Sequence, residues 1–307
     1  MKITRRQMLQ MGLAAGVAAA LPWRLARAQE LVHKAIPSSG KTLPVIGIGT
    51  ARRYDVGESE AERAPLHEVL AEFTNMGGRV IDTAPTYGRA EQVSGELVRA
   101  IGNREQLFIA TKVSLRGRSG RAAGIAQMEQ SMRRFGTERI DLMQVHNLND
   151  WRTQLALMRE WRAAGRLGYV GITTSFPRQY QEFEQVMRDE SLDFIQVDYA
   201  IDNRDAEQRI LPLAADRGMA VLINLPYSRG RVFSKVKGHA LPPWAAEFDA
   251  QSWGQFFLKF VVSHPAVTCA IPGTAKMEYL LDNLGAARGR LPDAAMRTRM
   301  QAFFDSV

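Results

Sequence analysis

Four side chains suited to proton transfer occur at the ends of three successive apolar runs. Asp82 ends one run and Tyr87 follows it, Lys112 lies in the next run, and His146 ends the third. An unpaired ammonium is costly to desolvate, so Lys112 needs an anionic partner, and Asp82 is available. A phenol titrates near pH ~10, and a neighbouring Lys112 would make Tyr87 a better acid by favouring its phenolate. A neutral His146 could donate a hydrogen bond to a carbonyl oxygen that gains negative charge. Together they predict carbonyl reduction with Tyr87 as proton donor.

These residues meet only if the apolar runs are neighbouring parallel strands. Eight short runs rich in Val and Ile alternate with segments of helical spacing, which predicts one closed (β/α)8 TIM barrel. A doubly wound sheet is disfavoured because no G-x-G-x-x-G loop follows an early strand. Residues 33–36 and 42–45 are expected to form a β-hairpin at the barrel floor. The predicted strands are Leu43 to Thr50, Arg79 to Thr83, Leu107 to Val113, Asp141 to His146, Tyr169 to Thr174, Phe194 to Tyr199, Ala220 to Leu225 and Val267 to Pro272.

The first 28 residues are typical of a twin-arginine export signal. Arg5 and Arg6 precede an apolar Gly/Ala/Leu stretch, and Ala26-Arg27-Ala28 forms an A-x-A cleavage site. The apolar stretch is shorter than the ~20 residues of a membrane span, so no stable anchor is expected. The sequence therefore predicts recognition by the twin-arginine translocation machinery and export, with the periplasm as destination.

Residues 29–307 are predicted to form a single barrel domain. Removal of residues 1–28 takes away five basic residues and no acidic ones, so the net charge falls from +8 to +3. A chain this close to neutral, without a basic run, gives no argument for nucleic-acid binding. The single cysteine, Cys269, excludes an intramolecular disulfide and a cysteine-rich metal site. A fold without disulfides fits a protein that folds in the cytoplasm before export.

From about Val32 to the end of the last barrel helix, the chain resembles the aldo-keto reductase family. The resemblance is carried by the segments Ile81 to Gly88, Ile109 to Lys112, Ile140 to His146, and Ala270 to Gly273. It implies a catalytic tetrad at Asp82, Tyr87, Lys112 and His146, an extended NADP(H) across the barrel mouth, a small-molecule carbonyl substrate and no metal.

The same resemblance implies a set of cofactor-binding positions, some of which depart from the family pattern. The Ser-Asn pair and glutamine that hold the nicotinamide amide correspond to Thr173, Thr174 and Gln196, and Asn224 stands where an aromatic residue usually stacks on the ring. Independently of the resemblance, the segment 228–252 is a long loop, and long ordered loops on barrels are usually functional, so Arg231 within it is expected to bind the diphosphate. The adenosine-phosphate segment corresponds to Gly273, Thr274, Lys276 and Asn283. Tyr279 replaces the arginine often found opposite the 2′-phosphate, which leaves Lys276 as the local cation, and NADPH is preferred to NADH.

Two other functions fit the same residues. A barrel lyase or aldolase could use Lys112 to form a Schiff base, because a desolvated strand lysine suits that chemistry. A non-catalytic NADP-binding module with a regulatory role would keep the barrel and bind the cofactor without turnover.

Overall fold

The structure is a computed structural model that describes residues 30–115 and 117–307. The predicted export signal, residues 1–28, lies outside the described residues. The strands are β1 (His33–Ala35), β2 (Thr42–Pro44), β3 (Ile48–Gly49), β4 (Val80–Asp82), β5 (Phe108–Val113), β6 (Ile140–His146), β7 (Leu167–Thr173), β8 (Phe194–Asp198), β9 (Ala220–Asn224) and β10 (Cys269–Ala270). The α-helices are α1 (Glu60–Asn75), α2 (Ala90–Ile101), α3 (Arg121–Phe135), α4 (Trp151–Ala163), α5 (Tyr180–Asp189), α6 (Ile210–Asp216), α7 (Arg231–Lys235), α8 (Trp253–Val262), α9 (Met277–Gly285) and α10 (Ala294–Ser306).

Strands β3 to β10 form one parallel sheet in chain order, and its two edges meet. Parallel bridges join Ile46 to Ala270 and Gly49 to Gly273, so the first and last strands close the barrel. Every residue of β4 and β8 is buried, as expected of strands covered on both faces. The predicted (β/α)8 barrel is therefore confirmed.

The predicted hairpin at the barrel floor is also confirmed. Strands β1 and β2 pair antiparallel, with His33 opposite Pro44. Lys34 Nζ donates to three backbone oxygens near the end of α8 and the start of β10, at 2.7 to 2.8 Å. The hydroxyls of Ser39 and Tyr169 are 2.8 Å apart, which links the hairpin turn to the start of β7. The hairpin thus covers the amino-terminal ends of the barrel strands.

The candidate site residues that end barrel strands lie on the opposite rim of the barrel. Because the eight strands are parallel, all their carboxyl ends lie on one rim. Asp82, His146, Thr173 and Asn224 each end a strand there, and Lys112 is the next-to-last residue of β5. In the described part of the chain, no helix is long and apolar enough to cross a bilayer.

Candidate active site

A buried ion pair lies at the carboxyl ends of β4 and β5. Lys112 Nζ donates to Asp82 Oδ1, to Asp82 Oδ2 and to the backbone oxygen of Thr83, each at 2.8 Å. Burial raises the pKa of Asp82, and Lys112 opposes that rise. Burial lowers the pKa of Lys112, but the charge of Asp82 and the interaction with Tyr87 together raise it above its usual value. Lys112 is therefore held as an ammonium.

Tyr87 lies beside this ammonium. Lys112 Nζ is 5.2 Å from the centroid of the Tyr87 ring. Burial raises the pKa of Tyr87, Lys112 lowers it and Asp82 raises it, with a net rise. The sequence predicts that Lys112 lowers this pKa. The lysine does so, but burial outweighs it. The phenol is thus protonated at neutral pH, and Lys112 is placed to stabilise the phenolate that forms once the proton leaves.

The backbone turn that carries Tyr87 is held by a carboxylate from another loop. The Ala90 backbone N–H donates to the backbone carbonyl oxygen of Tyr87 at 3.1 Å, where α2 begins. Gly88 has φ of 60°, and a Cβ there would collide with the Asp55 carboxylate. Asp55 Oδ1 accepts a hydrogen bond from the Arg89 backbone N–H at 2.9 Å. Asp55, in the loop between β3 and α1, therefore fixes the turn immediately after the phenol.

His146 faces Tyr87 from the end of β6. The two rings are perpendicular, at 87°, with centroids 6.0 Å apart. Thr86 Oγ1 is 3.4 Å from His146 Nδ1. Burial and the charge of Lys112 lower the pKa of His146 to about 3. The ring is therefore neutral at physiological pH and carries one N–H that can donate.

Two glutamines form a polar layer beside Asp82 inside the barrel. The amides of Gln196 and Gln144 lower the pKa of Asp82. Both side chains are buried, and among the described residues the Oε1 atoms of Gln144 and Gln196 have no hydrogen-bond donor. A buried amide without a partner costs free energy, so unpaired buried groups often mark functional positions. Gln196 thus lies next to the ion pair, and its Oε1 is an acceptor without a donor.

The polar residues at the ends of β7 and β9 differ in whether their hydrogen-bonding atoms already have partners. Thr173 and Thr174 are both buried. Thr174 Oγ1 donates to Gln179 Oε1 at 2.6 Å and accepts from the Phe176 backbone N–H at 3.1 Å, so this hydroxyl stabilises the loop after β7. Asn224 Nδ2 donates to the Thr174 backbone oxygen at 3.3 Å. Asn224 Oδ1 is buried and has no partner within the described chain, which leaves a second open acceptor.

Thr274 and Asn283 form an internal network at the start of α9. Asn283 Nδ2 donates to Thr274 Oγ1 at 2.9 Å, and Asn283 Oδ1 accepts from the Tyr227 hydroxyl at 2.7 Å. Thr274 and Asn283 are both buried. Their polar atoms therefore shape the segment after β10.

The exposed positions of the predicted phosphate region are Gly273, Lys276 and Arg231. Lys276 is the residue before α9, and its Nζ lies 3.7 Å from a carboxylate oxygen of Glu278. Arg231 Nε donates to Asp202 Oδ2 at 2.9 Å, and two thirds of its side chain is exposed. Gly273 and Lys276 are thus open to a ligand, whereas Arg231 is tied to Asp202.

A model of the aldo/keto reductase family matches residues 45–302. The chain belongs to the aldo/keto reductase family. It is 29% identical to the methylglyoxal reductase YeaE of Escherichia coli, over 88% of this chain and 95% of that protein. It is 27% identical to the aldo-keto reductase YhdN of Bacillus subtilis, over 66% of this chain and 64% of that protein.

The fold is shared with solved structures of the same family. A Klebsiella pneumoniae aldo/keto reductase in complex with NADP and acetate superposes with a TM-score of 0.74 at 23% identity, covering 90% of this chain and 96% of that one. A thermostable aldo-keto reductase in complex with the inhibitor epalrestat gives a TM-score of 0.71 at 24% identity. This likeness supports the barrel assignment.

The structure brings together the four residues that the family resemblance selected, and their catalytic roles stay predictions. Sequence reasoning missed Asp55 and Gln144. The glycine directly after Tyr87 hinted at a left-handed turn, but nothing in the sequence pointed to the carboxylate that packs on it. Across the described residues, no group of His, Cys, Asp and Glu is arranged to hold a metal ion.

Proposed function

We propose that the protein is an NADPH-dependent oxidoreductase that reduces an aldehyde or ketone to an alcohol, with Tyr87 as proton donor. The observation that carries this proposal is the placement of a protonated phenol beside a buried ammonium and a neutral imidazole. Family membership supports the reaction class. Related proteins are named as methylglyoxal reductases, and two Klebsiella structures contain NADP or NADPH.

The residues on the rim fit a nicotinamide cofactor. Gln196 Oε1 and Asn224 Oδ1 are buried acceptors without donors from the described residues, and they lie on neighbouring strands. The amide N–H groups of a nicotinamide would satisfy such acceptors. The side chains of Thr173 and Thr174 would border the same place, although the Thr174 hydroxyl is already engaged. Gly273 and Lys276 leave an exposed surface for the phosphate end.

Each group of the tetrad has a distinct task in proton transfer. NADPH, when bound, supplies the hydride to the carbonyl carbon. His146 donates a hydrogen bond to the carbonyl oxygen as negative charge develops there. Tyr87 gives its proton to that oxygen, and the Lys112 ammonium stabilises the remaining phenolate. Asp82 keeps Lys112 charged and in place through its two hydrogen bonds.

The proposal is tested by comparing the turnover of a Tyr87→Phe variant with that of the parent. The parent and the variant are followed by NADPH and NADH oxidation against a panel of aldehydes and ketones, and cofactor binding is measured separately by fluorescence. Loss of a general acid is expected to lower kcat by about 100-fold or more while the cofactor Kd stays close to that of the parent. A variant that binds the cofactor and reduces the best substrate at the parent rate would show that Tyr87 is not the donor.

The Schiff-base alternative requires a free amine at Lys112. The ammonium makes three hydrogen bonds of 2.8 Å and has a raised pKa, which disfavours a nucleophilic amine. Borohydride trapping with a carbonyl substrate tests this directly, since covalent labelling would favour a lyase. Cofactor binding without turnover across the whole panel would favour a regulatory NADP-binding module.

Export by the twin-arginine route to the periplasm is the second part of the proposal. Its support is the Arg5-Arg6 pair, the apolar stretch after it and the Ala26-Arg27-Ala28 site. The free, buried Cys269 agrees with a protein that reaches its fold without disulfides. Cell fractionation of the parent and of an Arg5→Lys/Arg6→Lys variant tests it. Equal cytoplasmic retention of both proteins would refute export.

A further inference from the structure

The turn that leads into Tyr87 places a threonine hydroxyl against the His146 ring. The Tyr87 backbone N–H donates to the backbone oxygen of Ala84 at 3.1 Å, which closes a four-residue turn. Pro85 is the second residue of this turn, a position that suits the fixed φ of proline. Thr86 is the third residue, and its Oγ1 lies 3.4 Å from His146 Nδ1. The loop that carries the proton donor thus also carries a hydroxyl within hydrogen-bond distance of one ring nitrogen.

The main chain around His146 is fixed, so the state of the ring depends on side-chain contacts. His146 is opposite Thr173 in the register of β6 and β7. The next residue, Asn147, donates its backbone N–H to the Thr173 oxygen at 2.8 Å, and its own backbone oxygen accepts from Gln179 Nε2 at 2.9 Å. Asn147 has φ of 55°, a left-handed conformation that persists in a non-glycine residue only where its surroundings hold it. Within the described part of the chain, the hydrogen-bond partner of the imidazole is Thr86.

A neutral imidazole can serve the proposed reaction in only one of its two tautomers. One ring nitrogen carries the proton and donates, while the other has a lone pair and accepts. Burial and the charge of Lys112 keep the ring neutral by lowering its pKa, so its single proton must be on the nitrogen that meets the carbonyl oxygen. Nδ1 is occupied by Thr86, which leaves Nε2 for the substrate. A proton on Nδ1 would instead turn the lone pair of Nε2 toward the negative charge that develops on that oxygen.

We propose that the Thr86 hydroxyl donates a hydrogen bond to His146 Nδ1 and so keeps the ring proton on Nε2, an inference that rests on the proposed function. A threonine hydroxyl can donate to such a lone pair and still accept from another group. The bond made by one ring nitrogen decides which form the other nitrogen takes. At 3.4 Å the bond is long, and catalytic hydrogen bonds commonly tighten when the substrate binds. Thr86 is thus a positioning residue, since it acts on the carbonyl group through His146.

The kinetic experiment compares Thr86→Val with Thr86→Ser in the full chain. Valine has the shape of threonine without the hydroxyl, whereas serine keeps the hydroxyl and loses the methyl group. Loss of one hydrogen bond should lower kcat of Thr86→Val by about five- to tenfold with little change in the Kd of NADPH, and Thr86→Ser should stay within about twofold of the parent. Thr298→Val is the control, because Thr298 is exposed and its hydroxyl donates to the backbone oxygen of Ala294 in its own helix. This control should leave kcat unchanged.

NMR of the imidazole nitrogens reads the tautomer directly and does not require turnover. The chain contains five histidines, and the signals of His146 are identified by their absence in His146→Gln. The parent and Thr86→Ser are expected to carry the proton on Nε2, and Thr86→Val is expected to show both tautomers. A general loss of stability in Thr86→Val would not move the ring proton, so this readout separates the two effects.

A parent protein whose His146 proton is on Nδ1 would overturn the proposal. An unchanged kcat or an unchanged tautomer in Thr86→Val would do the same. Equal losses of kcat in Thr86→Val and Thr86→Ser would show that the hydroxyl is not the group that matters. A parent that reduces no carbonyl would refute the proposed function, and the tautomers of the parent and Thr86→Val would still decide whether Thr86 places the ring proton.

Discussion

Removal of the buried cation at position 112 should destabilise the protein in a way that depends on pH. Lys112 contributes three hydrogen bonds of 2.8 Å, two of them to the Asp82 carboxylate, and its side chain is only 1% exposed. In Lys112→Met the carboxylate loses its counter-ion while it stays buried. Breaking a buried pair from one side typically costs about 3–5 kcal/mol in the free energy of unfolding, so we expect a loss of that size at neutral pH.

Proton uptake by Asp82 should reduce this loss in acid. Burial raises the pKa of Asp82, and without Lys112 nothing of comparable size opposes it. A carboxyl whose folded pKa exceeds its unfolded value of about 3.9 stabilises the fold below that value, and this contribution is lost as the pH rises through the folded pKa. The difference in stability between parent and Lys112→Met should therefore grow from acid to neutral pH.

The assay is urea unfolding followed by tryptophan fluorescence, at several pH values between about 5 and 8. The control is Asp82→Asn/Lys112→Met, which removes both charges and should lie within about 1–2 kcal/mol of the parent, because a neutral replacement leaves no uncompensated charge. A loss of less than about 1 kcal/mol in the unfolding free energy of Lys112→Met would contradict this expectation. So would a double variant whose loss equals the sum of the losses in Lys112→Met and in the single Asp82→Asn variant.

Three further predictions concern other parts of the site and the barrel floor. In steady-state assays, Asp55→Ala should lower kcat by about tenfold with little change in cofactor Kd. Asp55→Asn keeps an acceptor for the backbone N–H, so its kcat should stay close to that of the parent. Because the pKa of His146 is lowered to about 3, its neutral form stabilises the fold above the ordinary histidine pKa, and this contribution is lost as the pH falls toward 3. Urea midpoints of His146→Gln between about pH 6 and pH 4 should therefore fall less steeply than those of the parent, and equal slopes would contradict the buried neutral ring. Lys34→Met leaves three backbone oxygens without their donor and should cost about 2–3 kcal/mol of unfolding free energy, against less than about 0.5 kcal/mol for the exposed Lys41→Met of the same hairpin.

The convergence of Asp82, Lys112 and His146 was predictable because it depends on one regular property of the fold. Parallel strands place their carboxyl ends on one rim, so residues at the ends of successive strands meet whatever the loops do. Asp82, Lys112 and His146 come from β4, β5 and β6 in that way. The first predicted strand was less accurate. Leu43 to Thr50 divides into β2 in the hairpin and β3 in the barrel, because its first residues pair with β1 and its last ones with β4.

The parts that escaped prediction depend on loop conformation. The contact of Asp55 with Gly88 joins two loops separated by about thirty residues, and no periodic pattern records it. The hydroxyl of Thr174 was expected to face a cofactor amide, but it is engaged with Gln179. Side-chain type alone cannot indicate which of several polar partners within reach a hydroxyl will bind.

The segment Arg53-Tyr54-Asp55 runs from the closure of the barrel to the turn after Tyr87. Arg53 lies on Gly273, and Asp55 holds the turn after Tyr87. Tyr54 between them is almost completely buried. Because Tyr54 is packed in the core beside Asp55, a cavity at position 54 would disturb the loop that holds this turn. Exchange of Tyr54 for a smaller residue should therefore lower the rate of proton transfer from Tyr87, so the core of the barrel and the position of the proton donor cannot be varied independently here.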